Sequence, residues 1–139
     1  MSKRLAGFTL IVPLALLTAL SGCLSPPPPP PEAVLAGDWS LTAPETDLSN
    51  LMLRFDENGA LTLVVYKIGD SATLFQTSPV ATSDVNGDAV AIVATFDGNS
   101  LSFVGTLDGN TIDGRITTTI TSGSLILVID DGPATMTRL

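Results

Sequence analysis

From Ala36 onward apolar and polar residues alternate in short runs, and no stretch repeats its apolar positions at a helical spacing. Side chains on a strand point to opposite faces in turn, so each run predicts a strand with one dry and one wet side. Residues 37–42 predict the first strand, and residues 43–50 an acidic loop. Leu51, Leu53 and Phe55 alternate with Met52, Arg54 and Asp56, and after Glu57-Asn58-Gly59 the series Leu61, Leu63, Val65 resumes, predicting a hairpin with a glycine-containing turn. Residues 73–78 predict a weaker strand. Pro79 then demands an edge, a bulge or a turn, because it has no N–H to give a ladder.

The second half carries the pattern most clearly. Val90, Ile92, Ala94 and Phe96 share one face, as do Leu101, Phe103, Gly105 and Leu107 on the next run. Ile112, Gly114, Ile116, Thr118 and Ile120 form a third series, with Thr111, Asp113, Arg115, Thr117, Thr119 and Thr121 opposite. Turns at Asn86-Gly87, Asp97-Gly98 and Asp108-Gly109 separate these runs, their glycines eleven residues apart, which is the rhythm of consecutive antiparallel hairpins. A strand over residues 125–129, a turn at Asp130-Asp131-Gly132-Pro133 and a last strand over residues 134–139 complete the reading. The fold class is therefore all-β, an antiparallel up-and-down meander of eight to ten short strands. An open meander exposes two unpaired edges and closure removes them, so a small barrel is expected, with a β-sandwich as the alternative.

Ahead of this domain the chain changes character. Basic Lys3 and Arg4, an apolar run over residues 5–20 and small residues before the only cysteine, Cys23, predict a helical secretory leader over residues 1–22. The run is shorter than the ~20 residues of a membrane span and contains Pro13, which argues against an uncleaved membrane helix. Leu20-Ser21-Gly22-Cys23 resembles the lipobox of bacterial lipoproteins. That resemblance implies cleavage before Cys23, a thioether-linked diacylglycerol on its sulfur and acylation of the new amino group, which would also account for a lone cysteine better than a free thiol or an intermolecular disulfide. Leu24 follows where an aspartate would signal inner-membrane retention, so the resemblance favours the outer membrane, with the domain facing the periplasm or the outside. Residues 23–35 read as a lipidated terminus and linker, and residues 36–139 as the β domain. The six prolines at 26–31 favour polyproline II at ~3.1 Å per residue, a stiff spacer on the order of 20 Å long.

Charge narrows the partners. The chain has 139 residues, 6 basic and 14 acidic side chains and no histidine. Two of the basic residues precede Cys23, so the remainder carries four against fourteen, a formal charge of −10. Such a surface repels nucleic acid and anionic headgroups alike, leaving the acyl chains as the membrane contact.

Gly37-Asp38-Trp39 opens the first strand and resembles the Gly-x-Trp signature of the lipocalin and calycin group of barrels. That resemblance implies that a basic residue of the last strand crosses the tryptophan at the closed end, and Arg138 stands where it would be, for a cation–π contact of ~1 kcal/mol. Gly37, Trp39 and Arg138 would then be structural; the other reading is that Trp39 is simply a large core residue.

Few reactive groups remain. Without histidine there is no imidazole base or histidine zinc site, and the glycines lie in hairpin turns rather than in a phosphate-binding loop. Asp84, Asn86 and Asp88 match the opening of a calcium loop, but Ala89 replaces its glycine and Thr95 its bidentate glutamate, and hairpin turns favour the same residues. No metal and no cofactor is therefore expected, and no catalytic residue is identified. The leading expectation is a membrane-anchored, non-enzymatic binding module with an apolar pocket lined by Phe55, Leu63, Phe96, Phe103 and Ile116. The alternative is a structural or interaction lipoprotein whose core is filled and which contacts an envelope protein through its threonine-rich strand faces or acidic turns.

Overall fold

A computed structural model of the chain describes residues 25–139 with residue 123 excepted. The leader over residues 1–22 and the lipidation site Cys23 lie outside the described residues. A 3-10 turn, Pro31–Leu35, is followed by nine strands: β1 Gly37–Thr42, β2 Leu48–Phe55, β3 Leu61–Ile68, β4 Phe75–Thr77, β5 Val80–Asn86, β6 Ala89–Phe96, β7 Asn99–Asp108, β8 Thr111–Ser122 and β9 Leu125–Arg138. All pair antiparallel in one sheet ordered β4-β3-β2-β1-β9-β8-β7-β6-β5. It is a meander curled into a half-barrel, one continuous sheet rather than the two of a sandwich.

The curl follows from two facts of register. First, β1 pairs with β9, Trp39 opposite Arg138 and Thr42 opposite Thr135, so the two ends of the domain are neighbours. Second, β4 and β5 run in the same direction, because β4 is antiparallel to β3, β5 is antiparallel to β6, and every intervening pair alternates. The chain does not reverse between them. Residues 75–86 are one descending stave broken at Ser78-Pro79, its upper part laddered to β3 and its lower part to β6. This is how the demand of Pro79 is met. The ladder expected to close the barrel is left open between β4 and β5, since a stave that changes partners midway cannot bond both neighbours along its whole length.

The second-half faces are as the alternation predicts. Val90, Ile92, Ala94, Phe96, Leu101, Phe103, Ile112, Ile116, Thr118 and Ile120 are all buried. The connections are two-residue turns: Asp97 and Gly98 both have positive φ (50° and 79°), the combination that matches the twist of a tight hairpin. Gly114 has a separate role. A Cβ there would collide with the carbonyl of Val104, so only glycine lets β7 and β8 approach at this point.

Elsewhere bulges change the phase. Between Arg54 and Phe55 the β2–β3 register slips, and between Ser49 and Met52 it slips again around Asn50, which has φ 50°. An extra residue moves every later side chain to the other face. In β3 the slip turns Leu61, Val64 and Tyr66 inward, while Leu63 stands opposite the exposed Arg54. Another departure is β9. The sequence 130–133 is no turn: it lies mid-strand, Gly132 opposite Ile116 and Pro133 opposite Arg115. Proline fits because the β1 ladder ends at Thr135, so the β1 side of β9 has no N–H to supply at Pro133. The loop after β1 covers this edge, with the Asp47 N–H donating to Asp130 at 2.8 Å and the Glu45 side chain lying over Gly132.

Leu35 is fully buried in the core, so the end of the stretch read as linker is part of the packed structure.

Two substitutions test this packing. Gly114→Ala is expected to lower the stability in urea by about 2 kcal/mol or more, through overpacking against backbone. Thr118 is fully buried and its hydroxyl has no partner, so Thr118→Val is expected to raise stability by about 1 kcal/mol.

Candidate functional site

Of the five side chains expected to line a pocket, four are brought together. Phe55, Phe96, Phe103 and Ile116 belong to one continuous core with Trp39, Leu53, Ile92 and Met136, and none is more than 3% exposed. Leu63 is not with them, because the bulge in β3 puts it on the outer side. The four side chains are spent on packing against one another.

At the end of the half-barrel where β1 begins, Gly37, Trp39 and Arg138 assemble. The Arg138 guanidinium carbon lies 4.4 Å from the centroid of the Trp39 ring, which is fully buried. Gly37 has φ 114°, a backbone conformation that favours glycine, and its Cα lies beside Arg138 Nη1. Arg138 faces carbonyls rather than a carboxylate: Nη1 donates to Ala36 O and Nη2 to Val34 O at 2.7 Å. Trp39 Nε1 donates to Leu35 O at 2.7 Å. All three acceptors belong to the 3-10 turn and the residue that follows it. On the outer face Asp38 pairs with Arg54 at 2.7 and 3.0 Å, and the hydrogen-bonded guanidinium holds the Asp38 carboxyl below its usual range.

Asp84, Asn86 and Asp88 are exposed and do not converge. Asp84 and Asn86 lie on an extended strand, about 7 Å apart along it, and Asp88 sits in the following turn, whereas a calcium loop must coil around its ion. Among the described residues no group of three His, Cys, Asp or Glu side chains is placed to hold a metal.

The alternation missed a cluster at the other end, beside the open ladder. Tyr66 stacks on Phe75 (centroids 5.2 Å apart, 21° between planes) and tilts against Phe96 at 5.0 Å. Its hydroxyl donates to Asp97 Oδ2 at 2.9 Å, Thr77 donates to Asp97 Oδ1 at 3.1 Å, and Asn99 Nδ2 reaches the Tyr66 oxygen at 3.4 Å. The Asn99 carbonyl accepts the Thr121 N–H at 3.2 Å. Thus β3 and β4 are tied by side chains to the β6–β7 turn and to β8, across the gap their backbones leave. Simple alternation puts Tyr66 outside; the unbroken apolar run Val64-Val65-Tyr66 was the signal of a phase change. Nearby, Leu74 and Phe75 are exposed, and a depression of about 330 Å³ lies over Ser40, Thr42, Thr46 and Asn50. These supply uncharged hydrogen-bonding groups but no nucleophile paired with a base.

No protein-family model matches the chain, and no curated protein and no solved structure matches it.

Tyr66 is the only tyrosine, so its ionisation can be followed alone. Burial, then the hydrogen bond to Asp97 and the Asp97 charge, push its pKa from 10.0 up to about 12. The folded state therefore resists ionisation more than the unfolded one. Its stabilising effect is fully present below pH 10 and is lost as pH rises from about 10 towards 12. Tyrosinate absorbance is expected to titrate at about 12 in the native domain and near 10.0 in urea. Tyr66→Phe should remove that extra alkaline loss and lower stability at neutral pH by about 1–2 kcal/mol, because Asp97 loses a buried donor.

Proposed function

We propose that this chain is a cell-envelope lipoprotein, anchored through Cys23, whose β domain is a non-enzymatic interaction module for an envelope protein partner rather than a carrier of a small apolar ligand. The carrying observation is the outer face of β5 to β8. The ladder registers align Val80, Thr95, Ser100 and Thr119 in one cross-strand row, and Thr82, Val93, Ser102 and Thr117 in the next. Neither row contains a charge, although the chain from Cys23 onward carries a formal charge of −10. Charge-free area of hydroxyls and β-branched methyls is what a protein partner can cover without stranding an ion. The core supports the same reading, since four of the five side chains suited to an apolar ligand are already packed against one another.

In this reading the domain acts as a closed small barrel, the Tyr66 and Thr77 bonds to Asp97 replacing the ladder missing between β4 and β5. The stalk at 26–31 holds it off the membrane, and the outer membrane is the favoured site because Leu24, not an acidic residue, follows the cysteine.

Metabolic labelling with a fatty-acid analogue is expected to mark the wild type and not Cys23→Ala; equal labelling ends the anchor. Photo-crosslinkers placed at Val93 and Thr117 in intact cells should trap one common protein that a crosslinker at Thr62, on the outer side of β3, does not. Identical products from all three positions would remove the interaction face. Saturable binding of a fluorescent fatty acid by the soluble chain 25–139 would restore the pocket.

A further inference from the structure

The gap in the barrel has a cover at its lower half. Below the three residues of β4, the starting edge of β3 and the facing edge of β5 have no ladder partner. The 3-10 turn packs against β5 here, and its Glu32 lies against Gly59 of the β2–β3 turn. Gly59 has φ 81°, and any Cβ on it would collide with the Glu32 carbonyl, so the contact is backbone to backbone. A small depression of about 190 Å³, lined by Glu32, Asn58, Gly59, Ala60, Ala81 and Ser83, lies between them.

This covering segment has no ladder of its own. Besides the bonds inside the 3-10 turn, its two ends are closed by Ala33 N–H to Pro30 O and Ala36 N–H to Ala33 O. What fastens it is the buried Leu35 side chain, the Trp39 indole N–H and the two-pronged Arg138 guanidinium. Three side-chain bonds hold three successive carbonyls, and all come from residues at the β1–β9 junction.

We propose that residues 31–36 form a latch over the seam between β3 and β5, released as a unit by local opening before the sheet unfolds. Arg138 is its catch. The segment is in no ladder and has one buried large side chain, the properties of the low-energy end of native-state opening, whereas β7 and β8 are paired on both sides and hold the core. Releasing it uncovers the β5 edge and the Leu35 socket. The latch continues directly into the proline run. The inference stands on the packing alone and does not depend on lipidation or on the interaction face.

Native-state hydrogen exchange on the chain 25–139 tests it. In the wild type, amides of 32–36 and the seam-facing amides of the β5 segment 81–86, which the β6 ladder does not hold, are expected to share one opening that occurs at least tenfold more often than that of β7 and β8. Arg138→Lys keeps the charge but cannot span two carbonyls. It should speed exchange in both segments by roughly tenfold or more and leave Phe103 and Ile116 unchanged. Leu35→Ala should do the same by emptying the socket. Equal protection of β5 and β7 in the wild type would overturn the latch, as would variants in which every strand accelerates together. The wild-type measurement decides even if a variant fails to fold.

Discussion

The ladder between β1 and β9 is the constraint on which the rest of the structure depends. A meander of nine strands has no reason to curl unless its ends meet, and here they meet in register, with Trp39 directly opposite Arg138. The indole fills the end of the core while the guanidinium lies across it and spends its donors on carbonyls of the incoming chain. Arginine suits this place because its planar fork reaches two acceptors while its face stacks on the ring. One cross-strand pair thereby joins the first strand, the last strand and the segment that leads into them.

Because that junction is fixed, the discontinuity falls on the far side of the ring. Pro79 breaks the stave 75–86, and the two halves serve different neighbours. The resulting gap is held by unlike means at its two ends. Near the β6–β7 turn, Tyr66 and Thr77 converge on Asp97, a residue whose positive φ aims it back at them. At the other end the 3-10 turn lies across the opening. Backbone bonds give a sheet its cooperativity, so a seam closed by side chains and one short turn is where the domain should yield first.

The distribution of charge and burial bears on function in the same terms. Interior aromatic and aliphatic groups are used up by one another, and the described acidic residues are spread over turns and strands, with no group of three placed to hold a metal. What remains distinctive is an area without charge on an acidic domain, and that is the basis for reading the protein as an interaction module.

Strand existence, the hairpin turns of the second half and the inward series from Val90 to Ile120 were legible in the sequence because side-chain alternation and positive-φ turn residues are local properties. So was the pairing of Gly37 and Trp39 with Arg138, through a resemblance carried by residues at the two ends of the domain. The placement of Leu63 and Tyr66 was not, since one inserted residue reverses the face of all that follow, and a bulge is defined only against the partner strand. Nor was the continuity of β9 through Asp130-Asp131-Gly132-Pro133: these residues make a turn by local preference, and a strand because β8 supplies twelve residues of partner and β1 stops short of the proline. The sequence by itself determined that the domain is all-β and, in its second half, which faces are apolar. Only the tertiary structure decided register, where the ring stays open and what covers it, because those depend on pairings between residues up to a hundred positions apart, where no local pattern reaches.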